Sequence, residues 1–299
     1  MRAVLEDLDL THELDPRRYR EVFPALKDRL RGLQYDLRNA EIPTVVVFEG
    51  WGASGKGDVF QKLSEVLDPR VFRAYPETLP TELESRHHWL WRYQVRLPED
   101  GYMTLFDHAW YRHVLGERVS KAVSRKACRD AYEQINEFER WLADDSQIVV
   151  KLFFHIGRGE QKRRLKKMEK EPLESWKVDE DDWEQNRRYD RWSRAISDML
   201  AHTDTRNCPW TVIAATDARW ARVKAFEALI TQMTGALARR QKAPETVSRT
   251  RLARSVSHGR RAQQEDEALT RARTTAEEAG LPLEGQAEGK TEGKTERPS

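Results

Sequence analysis

The sequence has few cysteines, no long apolar run and almost no net charge, and each absence excludes a class of protein. Cys128 and Cys208 are the only cysteines among 299 residues, which excludes a disulfide framework and a cysteine-based zinc site. No run approaches the roughly 18 apolar residues that a membrane-spanning helix needs. The first residues, MRAVLEDLDLTHELDP, contain no continuous apolar segment. We therefore expect no signal peptide, no membrane partner and a cytoplasmic location.

The net charge does not indicate any particular class of partner. Lys and Arg total 52 against 50 Asp and Glu, while 38% of the residues are hydrophobic, which suits a large folded core. The apolar periodicity ends near residue 240, and the final GQAEGKTEGKTERPS contains nothing that could build a core. We therefore predict a disordered charged tail over 241–299. Its basic first half could contact polyanions; a purely solvated tail is the alternative.

Short apolar runs alternate with segments of helical periodicity along the chain. The apolar runs predict strands over 44–49, 71–75, 102–107, 147–156 and 210–215. Apolar residues at three- and four-residue steps predict helices over 17–39, 58–67, 81–97, 119–143, 158–171, 180–200 and 217–239. This alternation predicts an α/β fold, with a parallel sheet flanked by helices. We expect an N-terminal helical extension over 1–41 and a domain over 42–240.

A glycine-rich turn, EGWGASGKGD at 49–58, follows the first predicted strand and precedes a helix. Its spacing matches the phosphate-binding pattern G-x-x-x-x-G-K. Backbone N–H groups, the helix N-terminus and the lysine charge would all attract a phosphate. An ordinary glycine-rich turn with an exposed lysine is the alternative. We predict a phosphate-binding loop made of Gly50, Gly52, Ala53, Ser54, Gly55, Lys56 and Gly57.

Gly57 stands where such loops commonly have a Ser or Thr hydroxyl that binds magnesium. A carboxylate from another part of the chain would then have to hold the metal. Asp107 ends an apolar strand, at the edge where ligands bind in α/β sheets, so we predict that it binds magnesium. A helix N-cap is the alternative role for Asp107. Glu49 and Asp58 are further metal candidates.

Several motifs beyond the loop resemble the polyphosphate kinase 2 family, over roughly residues 15–238. They are LWR (90–92), LFDHAWYRHVLGERV (105–119), INEFER (135–140), KLFFHI (151–156), EQKRRL (160–165), WKV (176–178), TDT (203–205) and PWTVIAATDARWARVKA (209–225). A glycine after the loop lysine is usual in that family, so Gly57 adds to the resemblance.

The resemblance implies a thymidylate-kinase-like P-loop NTPase fold with a helical lid over about 158–192. It implies transfer of a terminal phosphate between inorganic polyphosphate and a nucleoside mono- or diphosphate, with Mg²⁺, in a homo-oligomer. The implied catalytic residues are Lys56, Arg92, Asp107 and Arg118, and the implied metal ligands are Asp107 and Glu117. Surface roles are the alternatives for Arg92 and for the Glu117–Arg118 pair.

Two motifs depart from the family pattern. Gly52 stands where the family usually has an Asp, and His108 and Ala109 replace the Arg and Ser of its F-D-R-S-W-Y motif. The loop thus lacks one carboxylate, and a fixed positive charge is weakened; Arg112 or His113 could replace it. These departures support the alternative of a catalytically impaired member that binds polyphosphate or nucleotide. An ATP-dependent P-loop kinase of small molecules is a further alternative.

A basic run on the predicted lid helix is typical of a surface that binds a polyanion. Its residues are Lys162, Arg163, Arg164, Lys166 and Lys167. We predict that polyphosphate follows this run; a solvated helix is the alternative. The chain contains no base-reading module, so we expect no specific nucleic-acid partner.

Overall fold

A computed structural model describes residues 5–120 and 124–242, and these ranges contain one five-stranded sheet. All strand pairs are parallel, in the order β2-β3-β1-β4-β5. The strands are β1 (Thr44–Gly50), β2 (Phe72–Tyr75), β3 (Met103–Asp107), β4 (Ile148–His155) and β5 (Trp210–Ala214). Helices flank this sheet, so the predicted α/β fold is confirmed. The predicted tail lies outside the described residues from 243 onwards.

The helices connect the strands in the order that the sequence pattern predicts. They are α1 (Pro16–Asn39), α2 (Lys56–Ser64), α3 (Glu82–Ser85), α4 (Trp91–Gln94), α5 (Tyr111–Ser120), α6 (Arg125–Asp144), α7 (Arg158–Met168), α8 (Glu180–Arg187), α9 (Tyr189–Thr203) and α10 (Ala218–Lys242). Short 3₁₀ turns cover Leu5–Asp7 and Ser175–Lys177. Within the described ranges, no helix is both long and apolar enough to span a membrane.

Three helix predictions are wrong in detail. The helix expected over 180–200 is α8 and α9, which are separated at Arg188. In the other two, tertiary contacts and caps override periodicity. The single helix expected over 81–97 is two short helices, α3 and α4, and between them Trp89 stacks on His113 with ring centroids 4.3 Å apart. The helix expected over 119–143 is instead α5 and α6. The Ser124 hydroxyl accepts a hydrogen bond from the amide of Ala127 at 3.1 Å, and this N-cap starts α6.

The centre of the sheet places the glycine-rich turn beside the end of β3. Strand β1 is buried along almost its whole length and pairs with β3 on one side and β4 on the other. In this register Phe48 lies opposite Asp107. The carboxyl ends of parallel strands meet at one edge of the sheet, so the turn after Gly50 and the Asp107 side chain share that edge.

A buried ion pair stabilises the layer behind this edge. The Nζ of Lys151, in β4, donates hydrogen bonds to the Glu139 carboxylate (2.8 Å), the Tyr111 hydroxyl (3.0 Å) and the Thr203 carbonyl (2.7 Å). Glu139 also accepts a hydrogen bond from the Trp110 indole at 3.0 Å. Burial, with the nearby Glu139 charge, raises the pKa of Tyr111 well above its ordinary value, so its hydroxyl stays protonated and donates to Glu139. The network ties α5, α6 and α9 to β4.

Candidate functional site

The glycine-rich turn ends at the N-terminus of α2, where backbone donors are left free. Gly55 adopts a φ of 88°, a left-handed conformation that glycine accepts without strain. Within the described ranges, the amides of Gly55, Lys56 and Gly57 have no hydrogen-bond acceptor. Free N–H groups at the positive end of a helix dipole form an anion site. The geometry therefore suits a phosphate group.

The Lys56 side chain lies beside this anion site and pairs with Asp107. The Nζ of Lys56 contacts Oδ1 of Asp107, and the two side chains are 12% and 32% exposed. Asp107 does not serve as the N-cap of α5, since that helix begins four residues later, at Tyr111. The structure thus brings together two residues that the sequence singled out separately.

Glu49 and His108 form a second pair at the same edge. The Nδ1 of His108 lies 2.7 Å from Oε2 of the buried Glu49, whose Oε1 accepts a hydrogen bond from the Ala109 amide at 2.9 Å. His108 has a φ of 62°, so this contact accompanies an unusual backbone conformation. Glu49 therefore holds the turn after β3, with both carboxylate oxygens engaged.

Glu77 also reaches this edge, and sequence reasoning missed it. Burial raises the pKa of Glu77, and interactions with His108, Arg112 and Lys56 oppose the shift. The Nη1 of Arg112 donates to Glu77 at 2.7 Å. Glu77 follows the end of β2 by two residues, so the strand-end argument that found Asp107 applies to it as well. Arg112, a candidate for the missing arginine, is thus held at this edge by Glu77.

Arg164, on the predicted lid helix α7, donates hydrogen bonds to the loop. Its Nη1 donates to the carbonyls of Ala53 (3.1 Å) and Ser54 (2.9 Å), and its Nη2 donates to the carbonyls of Ala215 (2.8 Å) and Thr216 (2.7 Å). These contacts fix the loop to the end of β5. Arg164 is thus engaged with the loop, unlike the rest of the basic run, and the polyphosphate-binding role of the run stays a prediction. The other members of the run, Lys162, Arg163, Lys166 and Lys167, are exposed.

Segment α8 reaches the loop at Gly52. Gln185 accepts a hydrogen bond from the Gly52 amide at 2.8 Å, and Gln161 donates to the Gly52 carbonyl at 3.3 Å. Asp182 lies over the Cα of Gly52. Burial raises the pKa of Asp182, and the hydrogen bond from Asp179 and the charge of Lys56 oppose that shift. Asp182 thus lies within the electrostatic range of the loop lysine.

Three predicted site residues are not seen in these contacts: one lies elsewhere, and the side chains of two are outside the described part of the chain. The Nη2 of Arg92 donates to the carbonyl and the hydroxyl of Thr78, both at 3.0 Å, and lies 3.6 Å from Glu84. Arg92 therefore supports the segment that follows Glu77, and its catalytic role stays a prediction. Glu117 and Arg118 lie on α5, but their side chains are outside the described part of the chain.

The carboxylates at this edge fit a magnesium ion only in combination with substrate oxygens. In residues 5–120 and 124–242, no group of three or more His, Cys, Asp or Glu side chains is arranged to hold a metal. Magnesium commonly binds through one or two carboxylates, several waters and substrate phosphates. Asp107 offers such a carboxylate beside the anion site, so the donor chemistry fits this mode of binding.

A neutral histidine supports the loop from β4 and makes stability depend on pH. The Trp51 indole donates to Nδ1 of His155 at 2.8 Å, and burial lowers the pKa of His155 to about 4. The unfolded chain, with an ordinary histidine pKa of about 6.5, takes up a proton first as the pH falls. We expect the free energy of unfolding to decrease by about 3 kcal/mol from this group between pH 6.5 and 4, and to be unaffected by it above pH 7.

Chemical denaturation of wild type and His155→Asn at pH 7 and pH 4.5 tests this expectation. The Asn amide oxygen can still accept from Trp51 but does not titrate in this range. The stability difference between the two proteins should therefore shift in favour of the variant at pH 4.5. The exposed His87, changed to Asn, is the matched control. Parallel pH profiles for wild type and His155→Asn would contradict the assignment.

Comparisons with known proteins agree with this geometry. The family model described as polyphosphate kinase 2 matches residues 13–241. A polyphosphate:AMP phosphotransferase from Pseudomonas syringae pv. tomato is 36% identical over 241 residues, which cover 81% of this chain and 48% of the relative. A polyphosphate:AMP phosphotransferase from Pseudomonas aeruginosa is 37% identical over 228 residues, covering 76% of this chain and 46% of the relative.

A solved structure shows the same fold. The crystal structure of polyphosphate kinase 2 from Arthrobacter aurescens TC1 matches with a TM-score of 0.74 and 25% sequence identity, covering 77% of this chain and 85% of that chain. The expected P-loop kinase-like fold is thereby confirmed. The chain spans about half the length of the two curated relatives described above.

Proposed function

Because the chain belongs to the polyphosphate kinase 2 family, we propose that it transfers a terminal phosphate between inorganic polyphosphate and a nucleoside mono- or diphosphate. One observation carries the proposal. At the N-terminus of α2, three backbone amides have no acceptor among the described residues, and the Lys56 side chain beside them contacts the strand-end Asp107. This arrangement meets the two needs of phosphoryl transfer, which are positioning and charge neutralisation.

The residues of the loop take up separate tasks in this reaction. The free amides and the Lys56 amine bind oxygens of the phosphate that moves, and Lys56 exchanges its contact with Asp107 for one with the phosphate. Asp107 is then available as a ligand for Mg²⁺, with Glu117 as the predicted second ligand. When bound, Mg²⁺ neutralises charge on the phosphate oxygens. Arg112, which pairs with Glu77 near Lys56, supplies a further positive charge at this edge.

The exposed face of α7 is the proposed route for polyphosphate. Lys162, Arg163, Lys166 and Lys167 lie on the same helix as Arg164, which touches the loop. Arg163 pairs with Glu160 at 2.6 Å, whereas the three lysines have no ion-pair partner among the described residues. Their charges can therefore neutralise a polyanion that ends at the loop. Cytoplasmic location and homo-oligomeric assembly stay predictions from the sequence.

A screen of donors and acceptors with the purified protein tests the proposal. Long-chain polyphosphate and Mg²⁺ are incubated with AMP, ADP or GDP, and the nucleotides formed are separated by chromatography. We expect a nucleotide one phosphate longer, and AMP is the first acceptor to test, since two relatives carry that substrate in their names. Product with ATP and small acceptors but never with polyphosphate would favour an ATP-dependent kinase. No product with any pair would favour a binding protein without turnover.

A further inference from the structure

Position 52 of the loop has no side chain, and another part of the chain fills the space that a side chain would take. A Cβ added to Gly52 would lie 2.9 Å from Cγ of Asp182 and would overlap its Oδ1. The backbone of Gly52 does not adopt a positive φ, so its conformation alone would accept any residue. What excludes a side chain at position 52 is the Asp182 carboxylate.

Polar contacts hold the two segments together at this point. The Gly52 amide donates to Gln185 at 2.8 Å. Gln161, which is fully buried, donates to the Gly52 carbonyl at 3.3 Å and to Gln185 at 2.8 Å. Trp51 adds a stacked contact with Tyr189, with ring centroids 4.1 Å apart. The contact between loop and lid is therefore a built surface, in which the bare Cα of Gly52 is the point of closest approach.

Asp182 has a local role as well, which does not account for its position. As the third residue of α8 it forms a capping box with Asp179: the Asp182 amide donates to Asp179 at 3.0 Å, and Asp182 Oδ2 accepts from the Asp179 amide at 3.4 Å. This cap uses one carboxylate oxygen. The other oxygen, Oδ1, lies over Gly52, and the charge of Lys56 acts on this carboxylate.

We propose that Asp182 supplies from the lid the carboxylate that the loop itself lacks, and that Gly52 is required because it leaves room for that carboxylate. Asp182 is a positioning residue: it acts through Lys56 and through the closed contact between α8 and the loop. The inference rests on the proposed function, which gives Lys56 its task. Restoring a carboxylate to the loop would simply be expected to raise activity. The inference predicts the opposite: in the wild-type background, a carboxylate at position 52 would impair the protein.

Three variants form the test: Gly52→Asp, Asp182→Ser and the double variant. The Asp182→Ser change keeps a hydroxyl that can accept the hydrogen bond of the cap. It also removes atoms from the space that the Gly52→Asp side chain would occupy. Gly52→Asp alone should lower kcat for polyphosphate-dependent transfer by about 10²-fold, since displaced catalytic groups lose rate steeply. The double variant should be more active than Gly52→Asp, a non-additive result expected for side chains in direct contact. Gly32→Asp, at an exposed position with no atom near its added Cβ, is the matched control.

Asp182→Asn separates charge from capping. Asn keeps the volume and the acceptor for the Asp179 amide but removes the negative charge near Lys56. We expect kcat to fall by about 10-fold with an unchanged midpoint of thermal unfolding. Glu180→Gln, two residues earlier on α8 and 80% exposed, should leave kcat unchanged. Full activity of Asp182→Asn would reduce the residue to a helix cap and overturn its role beside Lys56.

Hydrogen exchange gives a readout that does not need turnover. Amides of 180–187 should exchange faster in Gly52→Asp than in wild type and recover protection in the double variant. If wild type transfers no phosphate, the proposed function fails, and exchange still decides whether side chains at positions 52 and 182 compete for one volume. Unchanged exchange in Gly52→Asp, or additive losses in the double variant, would overturn the inference.

Discussion

Replacing Lys56 with Ala should lower kcat for phosphate transfer by about 10²–10³-fold, the usual cost of losing one charge-stabilising contact in a water-poor site. The variant keeps the amides of Gly55 and Gly57, which have no acceptor in the part of the chain that the structure describes, so phosphate would still find donors at the helix N-terminus. It loses the one full positive charge that the loop itself carries. The loss should therefore appear mainly in kcat, because the lysine would stabilise charge that develops on the oxygens during transfer.

A lysine six residues further along the same helix provides the control. Lys62 pairs with Glu65 at 2.9 Å on the surface of α2. Lys62→Ala removes the same side chain from the same helix and should leave turnover within about twofold of wild type, because exposed ion pairs contribute little. Initial rates at saturating polyphosphate and acceptor give kcat, and circular dichroism confirms that each variant is folded. Equal rates for wild type and Lys56→Ala would remove the loop lysine from the reaction.

Replacing Lys151 with Met should lower the free energy of unfolding by about 3–5 kcal/mol, because it leaves the charge of Glu139 buried without its partner. Both side chains are fully buried, at 0% exposure. The three hydrogen bonds that Lys151 donates would be lost together, and the Thr203 carbonyl and Tyr111 hydroxyl would lose a donor. Unfolding in urea, followed by circular dichroism, measures the change.

The double variant Lys151→Met with Glu139→Gln distinguishes a buried charge from lost packing. Gln has no charge to leave unpaired and can still accept from the Trp110 indole. We therefore expect the double variant to be more stable than Lys151→Met alone. Lys224→Met, which breaks an ion pair whose side chains are 40% and 45% exposed, should change stability by no more than about 1 kcal/mol. A Lys151→Met protein as stable as the Lys224→Met control would contradict the ion-pair assignment.

The sequence predicts the sheet and the phosphate loop because both depend on local patterns. Each of the five strands is a short apolar run whose two ends are visible in the sequence. The structure confirms all five to within one residue at either end. The spacing of Gly50, Gly55 and Lys56 and the position of Asp107 at a strand end are also local features. Parallel pairing then brings Lys56 and Asp107 together without any further information from the sequence.

The remaining parts of the site depend on contacts between distant segments. Gly52 and Asp182 are 130 positions apart, and neither residue signals the other; from sequence, Gly52 indicates only a missing carboxylate. Arg164 looks like one more charge in a basic run, and only the fold shows that it donates to the loop carbonyls. Periodicity likewise favours one helix over 81–97, because it cannot register the stacking of Trp89 on His113 that accompanies the break.

A crystal structure of the protein with a short polyphosphate and Mg²⁺ is the most direct test of the claim that this loop grips a phosphate chain. We expect the terminal phosphate to accept hydrogen bonds from the amides of Gly55, Lys56 and Gly57, with the Lys56 amine moved from Asp107 onto a phosphate oxygen. A polyphosphate bound elsewhere, with the Lys56–Asp107 pair intact and the three amides still without acceptors, would contradict the account.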